Sequence, residues 1–422
     1  MGYPFRQPTF IELVKGMDPC KLDDLHKGKV EALMVYDPKR KALVPSRFCS
    51  FHLAGFDLDE KSTAPLGPLR KASPSPSGRR PAEYVTANER LEVASSCIDV
   101  FSLRVVKAGP VFTYPVEVYG KVIARDEVDY KCVLLFDRER KDAQLINSEK
   151  DMLSLTGPYR PLNTLDLMYF EFDLKIKGRG EGDHDEEQFS KGVIPYYCKP
   201  DHKRIILQLP SFHSTVKLVL QRLSLPVAAI IEVNVVNEGQ DDTIVHYEGK
   251  ITAGTTRNYR QHVVLYDSSV PSVCSERKNG SLVLNRQLLA VNGYERDPAF
   301  EKDQLVLYVC FLDAGCEIED EDEMCPEEED EDDEDEEAGC EIEDEHEIPG
   351  EEDDDGDTDT DTDGDGDTDT DEDKDEHGDG EAEDPTNVVT LKYPQCEAVW
   401  EHGSPKLKVK VDWTAVSPSS RL

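Results

Sequence analysis

Several patterns that identify common classes of protein are missing from this 422-residue chain. Its eleven cysteines include no CxxC pair, which argues against a zinc site of the usual spacing and against a disulfide framework. No stretch reaches the roughly 18 apolar residues that a membrane helix needs, and the N-terminus has no apolar run of signal-peptide length. Cysteines scattered in this way indicate reduced thiols, so we expect a cytoplasmic or nuclear protein that does not bind membranes.

The usual catalytic and nucleotide-binding motifs are also missing. The chain has no HExxH, GxSxG, Walker A or GxGxxG pattern. Its basic clusters, such as DPKRK at 37–41, carry no interleaved aromatic residues, so nucleic-acid binding is not expected. Asp183, His184 and Asp185 stand together in GEGDHDEEQ, which we interpret as a polar loop between strands. We therefore expect no catalytic residues, no cofactor and no enzymatic activity.

Negative charge is abundant, but it is confined to one part of the chain. Residues 316–385 hold 43 Asp and Glu against a single basic residue, Lys374, while the remainder has 46 acidic and 47 basic residues. So few apolar residues cannot offset a chain entropy of about 1–2 kcal/mol per residue. We predict a disordered acidic insertion at 314–385, called the acidic segment below, which would attract basic protein partners.

The most regular part of the acidic segment, DTDTDTDGDGDTDTDE at 357–372, matches the calcium loop of an EF-hand. No amphipathic helix flanks it, and Thr368 stands where such loops carry an apolar anchor. A repeat this dense also matches the template by chance, so our main interpretation is a polyanion that collects divalent cations weakly. The alternative is a calcium site, whose ligands would be Asp361, Asp363, Asp365, Asp367 and Glu372, with Gly366 at the turn.

Short apolar and alternating runs follow one another from residue 91 onward. In one of them Phe170, Phe172, Leu174 and Ile176 occupy one face of an extended chain, and Glu171, Asp173, Lys175 and Lys177 occupy the other, which we expect to face solvent. No helical pattern of ten or more residues separates the runs. We predict an all-β fold, an antiparallel sandwich or barrel, preceded by a mixed and partly helical segment over 1–90 that ends in a Pro/Ser/Arg-rich linker.

The last run, KLKVKVDWTAV, lies beyond the acidic segment and alternates cleanly. An isolated hairpin is only marginally stable in water, so these strands must pair with strands formed earlier. We predict one β-rich domain made of 91–313 plus 386–416. The interruption is tolerable because each doubling of loop length costs only about 0.6 kcal/mol. The lysines of the last run would lie on an exposed edge or outer face.

Several phrases resemble a plant family found mainly in grasses, catalogued as domain of unknown function 6598. They are LEVASSCIDVFSLRVVKAG, YPVEVYGKVIARDEVDYKCVLLFDR, LSLTGPYRP, MYFEFDLKIKG and FSKGV, and KLKVKVDWTAV resembles the closing strand of that family. The resemblance implies a β-rich domain without an accepted activity. In some cereal proteins such a domain accompanies a ribosome-inactivating rRNA glycosidase, for which the 90 N-terminal residues are too short.

Three functional hypotheses follow. The first is a non-catalytic, protein-binding β-domain whose acidic segment recruits basic partners. The second, which rests on the resemblance alone, is a defence-related protein associated with ribosome inactivation. The third is a low-affinity divalent-cation binder.

Overall fold

The structure is a computed structural model that describes fourteen stretches of the chain. They are residues 19–49, 57–64, 96–108, 112–163, 167–178, 186–198, 204–224, 226–236, 247–258, 262–270, 281–292, 303–311, 387–401 and 406–415. Within these stretches, no helix combines the length and apolar content that crossing a bilayer demands.

The N-terminal segment forms a helix followed by a hairpin. Helix α1 covers Pro19–Leu33, and its first position suits proline because that residue needs no amide partner there. Strands β1 (Met34–Asp37) and β2 (Ala42–Pro45) then pair antiparallel as the N-terminal hairpin. The predicted partly helical character is confirmed. The run LDDLHKGKVEALMVYD was expected to form a short helix, but its last four residues, Met34–Asp37, form a strand. The Asp37 carboxylate accepts hydrogen bonds from the amides of Lys39 and Arg40 and so builds the tight turn that follows.

Nine strands build the first of two β-sandwiches, called sandwich 1. One sheet has the strand order β10-β11-β3-β7, and the other has the order β5-β4-β8-β9, with β6 also paired to β4. The strands are β3 (Ser96–Ala108), β4 (Val116–Arg125), β5 (Val133–Arg138), β6 (Gln144–Ile146), β7 (Leu162–Asn163), β8 (Leu167–Lys177), β9 (Glu186–Tyr197), β10 (Arg204–Ser211) and β11 (Ser214–Ser224). Their inward side chains form one buried apolar core.

Eight strands build sandwich 2, which has a separate apolar core. Its sheets have the orders β15-β12-β19-β18 and β14-β13-β16-β17. The strands are β12 (Pro226–Val236), β13 (Gly249–Thr255), β14 (Val263–Asp267), β15 (Leu288–Asn292), β16 (Leu305–Phe311), β17 (Val388–Leu391), β18 (Glu397–Trp400) and β19 (Lys406–Ala415). Every strand pair in the described residues is antiparallel, which confirms the all-β antiparallel prediction. Both units are sandwiches, and the region predicted as one β-rich domain contains two cores.

Strands from both sides of the acidic segment pair within sandwich 2. Strand β17 pairs with β16 from Leu305↔Leu391 to Tyr308↔Val388. Strand β19 lies between β12 and β18 and pairs with β12 over its whole length. The predicted pairing of the last strands with earlier ones is therefore confirmed.

The alternation within β19 matches its position in the sheet. Leu407, Val409, Val411 and Trp413 are buried in the core of sandwich 2. The lysines point to the outer face, where Lys408 contacts Glu397 at 2.8 Å. They do not mark an exposed edge, because β19 has a neighbour on each side.

Polar and apolar contacts join the two sandwiches. Asp99 of β3 and Arg286 form a fully buried ion pair, and the Asp99 carboxylate also accepts the amide of Ala290 at 2.7 Å. Phe101, two residues along β3 from Asp99, packs in the core of sandwich 2. A buried charge must be paired to be tolerated, so this contact fixes the packing of the two units.

Candidate functional site

The densest cluster of buried charge joins two of the phrases that carry the family resemblance. Asp126, of YGKVIARD, lies at the end of β4, and Arg160, of LTGPYR, lies before β7. The guanidinium of Arg160 donates to both oxygens of Asp126, at 2.5 and 2.9 Å, and the amide of Asn163 donates to Asp126 at 2.8 Å. Burial alone would lower the pKa of Arg160, but Asp126 outweighs it and the pKa is raised. These phrases therefore meet to form a bidentate ion pair.

A second buried network holds the N-terminal segment against β4 and β8. Glu171 accepts hydrogen bonds from Arg125 Nε at 2.6 Å, from Arg47 Nε at 3.1 Å and from the amide of Phe48 at 2.9 Å. Arg125 also donates to the carbonyls of Leu58 and Tyr130. Glu171 was expected on the wet face of its strand, and that expectation is wrong, since the side chain is only 4% exposed. The residues that cover it are far away in the sequence.

Both networks are better explained by a structural role than by a catalytic one. Burial alone would lower the pKa of Arg47, yet the carboxylates of Glu171 and Asp59 outweigh that effect and raise it. These buried ion pairs hold chain segments together, so we assign both networks a structural role and do not place the functional site here.

The candidate site is an open groove of about 530 Å³ between the N-terminal hairpin and sandwich 1. The hairpin contributes Tyr36 and Pro38, the loop before β4 contributes Phe112, and strand β9 contributes two polar residues. Phe212 and His213 come from the turn between β10 and β11. We call this surface the aromatic groove, and its lining residues are Tyr36, Pro38, Phe112, Glu187, Gln188, Phe212 and His213.

Asp37 fixes the hairpin against sandwich 1 beside the aromatic groove. Its Oδ1 atom accepts the amide of Phe212 at 3.0 Å in addition to the two amides of its own turn. Lys39 strengthens the same junction, because its ammonium donates to the Ser214 carbonyl at 2.8 Å and to Thr215 Oγ1 at 2.9 Å. The other carboxylate oxygen of Asp37, Oδ2, is buried and has no hydrogen-bond partner among the described residues.

The walls of the aromatic groove are held by packing and hydrogen bonds. Phe112 stands edge-on to His213, with ring centroids 5.4 Å apart, and edge-on to Phe189 at 6.0 Å. The Gln188 amide lies 2.9 Å from both Asp173 Oδ1 and the Leu174 carbonyl, so its orientation is fixed. Glu187 and Tyr36 remain exposed. The result is an open surface of aromatic side chains with one exposed carboxylate.

The residues proposed from the sequence for metal binding are not part of this surface. Asp361, Asp363, Asp365, Asp367 and Glu372 lie outside the described residues, as do Asp183, His184 and Asp185. The described stretches contain no group of three or more His, Cys, Asp or Glu side chains that could hold a metal ion. Glu187 and Gln188, which were assigned to a polar loop, belong to strand β9.

Sequence patterns missed the aromatic groove because its residues come from four separate parts of the chain. The turn DPKRK was noted only for its charge, although it begins with Asp37. Phe112, Phe212 and His213 follow no motif. The one available signal was that Tyr36 and Phe212 each stand next to residues typical of tight turns, which places rings near loop tips.

Fold and groove together define a class: an antiparallel double β-sandwich that presents an aromatic surface beside an N-terminal hairpin. The chain belongs to the family described as Domain of unknown function (DUF6598), whose model matches residues 97–348. The match takes in β3 to β16 and ends inside the acidic segment. The resemblance of the closing strand therefore lies beyond the matched residues and stays a prediction, as does the plant source. No curated protein matches the chain.

Proposed function

We propose that the protein is a non-catalytic binding protein for basic protein partners, with the acidic segment as the recruiting element. The observation that carries the proposal is the concentration of 43 acidic residues against one basic residue within 316–385, in a chain that is otherwise balanced. A charge excess of this density attracts polycations over the range that salt screening allows, about 8 Å at physiological ionic strength.

The structure supports this proposal through the strands that flank the acidic segment. β16 ends at Phe311, β17 begins at Val388, and these strands pair with each other. Both ends of the acidic segment are therefore attached to one sheet of sandwich 2. Attachment at two points keeps a partner that binds the segment close to the described surface, which raises the effective concentration of any second contact.

We place the protein in the cytoplasm or nucleus, where basic partners such as ribosomal proteins and histones are abundant. Cys49, Cys97, Cys132 and Cys396 are free thiols in the structure, which supports a reducing compartment. The two other hypotheses from the sequence, ribosome inactivation and divalent-cation binding, stay predictions. We expect no depurination of ribosomes and only weak, multi-site calcium binding by calorimetry.

Titration with a labelled oligolysine tests the proposal. The intact protein should bind, and its affinity should fall at least about tenfold between 50 and 200 mM salt, because several counterions are released together. A variant of equal length with Asp→Asn and Glu→Gln across 316–385 serves as the matched control, and it should lose this salt-dependent binding. Equal binding by both proteins would overturn the proposal.

A further inference from the structure

We propose that the aromatic groove binds the ammonium group of a lysine side chain on an extended basic segment of the partner, an inference that rests on the proposed function. The acidic segment would supply long-range attraction, and the aromatic groove would supply a short-range contact of defined geometry. The aromatic groove, about 530 Å³ and widely open to solvent, has room for the end of a lysine side chain.

The aromatic side chains are the first reason to expect a cation. Tyr36, Phe112, Phe212 and His213 line one surface, and the face of an aromatic ring carries negative potential that attracts a cation within about 6 Å. Tyr36 is 59% exposed although it is a large aromatic residue. It lies on a hairpin that Asp37 and Lys39 fix in place, so its ring is presented to solvent by a firmly attached element.

A carboxylate is the second reason. Glu187 lines the aromatic groove with an exposed side chain. Asp37 lies between two lining residues in the sequence and accepts the amide of a third, and its Oδ2 atom is buried without a partner among the described residues. Because Asp37 is fully buried and does not line the groove, a ligand there makes no contact with it, and Glu187 is the carboxylate that the ammonium would contact.

Positive charge near the aromatic groove limits how the basic segment can approach. Arg40 and Lys41 lie at the hairpin turn but do not line the groove. The ammonium of Lys39 donates to Ser214 and Thr215. Burial and the neighbouring Lys107 lower the pKa of Lys39, and Asp37 opposes them. We infer that the lysine enters from the side of Glu187, away from the hairpin turn.

The experiment uses the full-length protein and a capped, labelled peptide with one lysine among neutral residues. A single charge binds the acidic segment weakly, so the titration reports on the aromatic groove. Tyr36→Ala should weaken binding about two- to fivefold, which is the size of an exposed cation–π contact, and Glu187→Gln should weaken it by a similar factor. Tyr36→Phe should retain binding, because it keeps the ring face.

Matched controls separate this proposal from the proposed function. Tyr197→Ala removes a tyrosine that is also 59% exposed but lies outside the aromatic groove, and Glu248→Gln neutralises an exposed carboxylate on sandwich 2. Both variants should bind the peptide as the intact protein does. All of these variants keep the acidic segment, so they should retain the steep salt dependence of oligolysine binding.

The chemistry of the peptide provides the second arm of the test. Trimethylation of the lysine keeps the charge and should preserve or improve binding, whereas acetylation removes the charge and should abolish it. The inference is overturned if the intact protein does not bind the lysine peptide, or if Tyr36→Ala and Tyr197→Ala behave alike. Equal binding of the acetylated peptide would overturn it as well. Each of these results would leave oligolysine binding by the acidic segment unaffected.

Discussion

Asp126 accepts hydrogen bonds from the guanidinium of Arg160 and from the amide of Asn163, and all three residues are buried. Glu171 is held in the same way by Arg125 and Arg47. At the residue scale, these carboxylates attach chain segments to sandwich 1, and Asp37 does the same for the N-terminal hairpin by accepting the amide of Phe212.

Asp126→Ala should destabilise the fold by about 3–5 kcal/mol, because it leaves the buried Arg160 charge without a partner. Urea unfolding followed by circular dichroism measures the change. Glu139→Ala is the control, since Glu139 pairs with Lys141 while both side chains are about three-quarters exposed, and it should leave the unfolding midpoint unchanged. If the two variants unfolded alike, Asp126 would not have the structural role assigned to it.

Gly120, within the phrase YGKVIARD, is required by the backbone. Its φ is +119°, and a Cβ atom at this position would lie 2.2 Å from the carbonyl oxygen of Asp173 on the neighbouring strand. We expect Gly120→Ala to cost at least about 1–3 kcal/mol. Gly28 in helix α1 has nothing within 4 Å of its virtual Cβ, so Gly28→Ala should stabilise by about 0.5–1 kcal/mol. In thermal melts, Gly120→Ala should therefore unfold at a lower temperature than the wild type, and Gly28→Ala at a higher one.

At the element scale, strand β19 connects the far end of the chain to sandwich 2. Val409 points into the core and is fully buried, while the adjacent Lys410 points outward, in register with Glu232 and Glu397. Val409→Asp should destabilise by several kcal/mol, because it buries an unpaired charge in a central strand. Lys410→Gln should stay within about 0.5 kcal/mol of the wild type. Similar unfolding curves for the two variants would contradict the assignment of Val409 to the core face of β19 and of Lys410 to its outer face.

Strands were predictable from the sequence wherever alternation and apolar runs directly reflect burial. Phe170, Phe172, Leu174 and Ile176 are all buried, as their spacing predicts. Glu171 was not predictable, because the residues that cover it, Arg47 and Phe48, are more than a hundred positions away. The division into two cores escaped detection for a similar reason. β11 and β12 follow each other with only residue 225 between them, and no linker marks the boundary.

The candidate site was less predictable than the strands. The aromatic groove depends on where a short hairpin docks, and that docking depends on one carboxylate, Asp37, contacting the distant amide of Phe212. Single-sequence periodicity carries no information on such a contact. The proposed calcium ligands at 361–372 were identified from a motif alone, and they lie outside the described residues.

At the scale of the whole molecule, two sandwiches are joined by the Asp99–Arg286 ion pair, and sandwich 2 is completed by strands that follow the acidic segment. The excess of negative charge and the described strands thus belong to different parts of the chain. The acidic segment supplies the negative charge, and the sandwiches supply a stable surface with the aromatic groove. We therefore expect that either part can be altered without loss of the other.

Hydrogen exchange on a variant in which a short Gly/Ser linker replaces 316–385 tests this separation most directly. We expect the amides of β16, β17 and β19 to keep the protection that they have in the intact protein, because their pairing does not involve the acidic segment. Loss of protection in these three strands, with sandwich 1 unchanged, would show that the acidic segment is part of the folded core and would contradict the account.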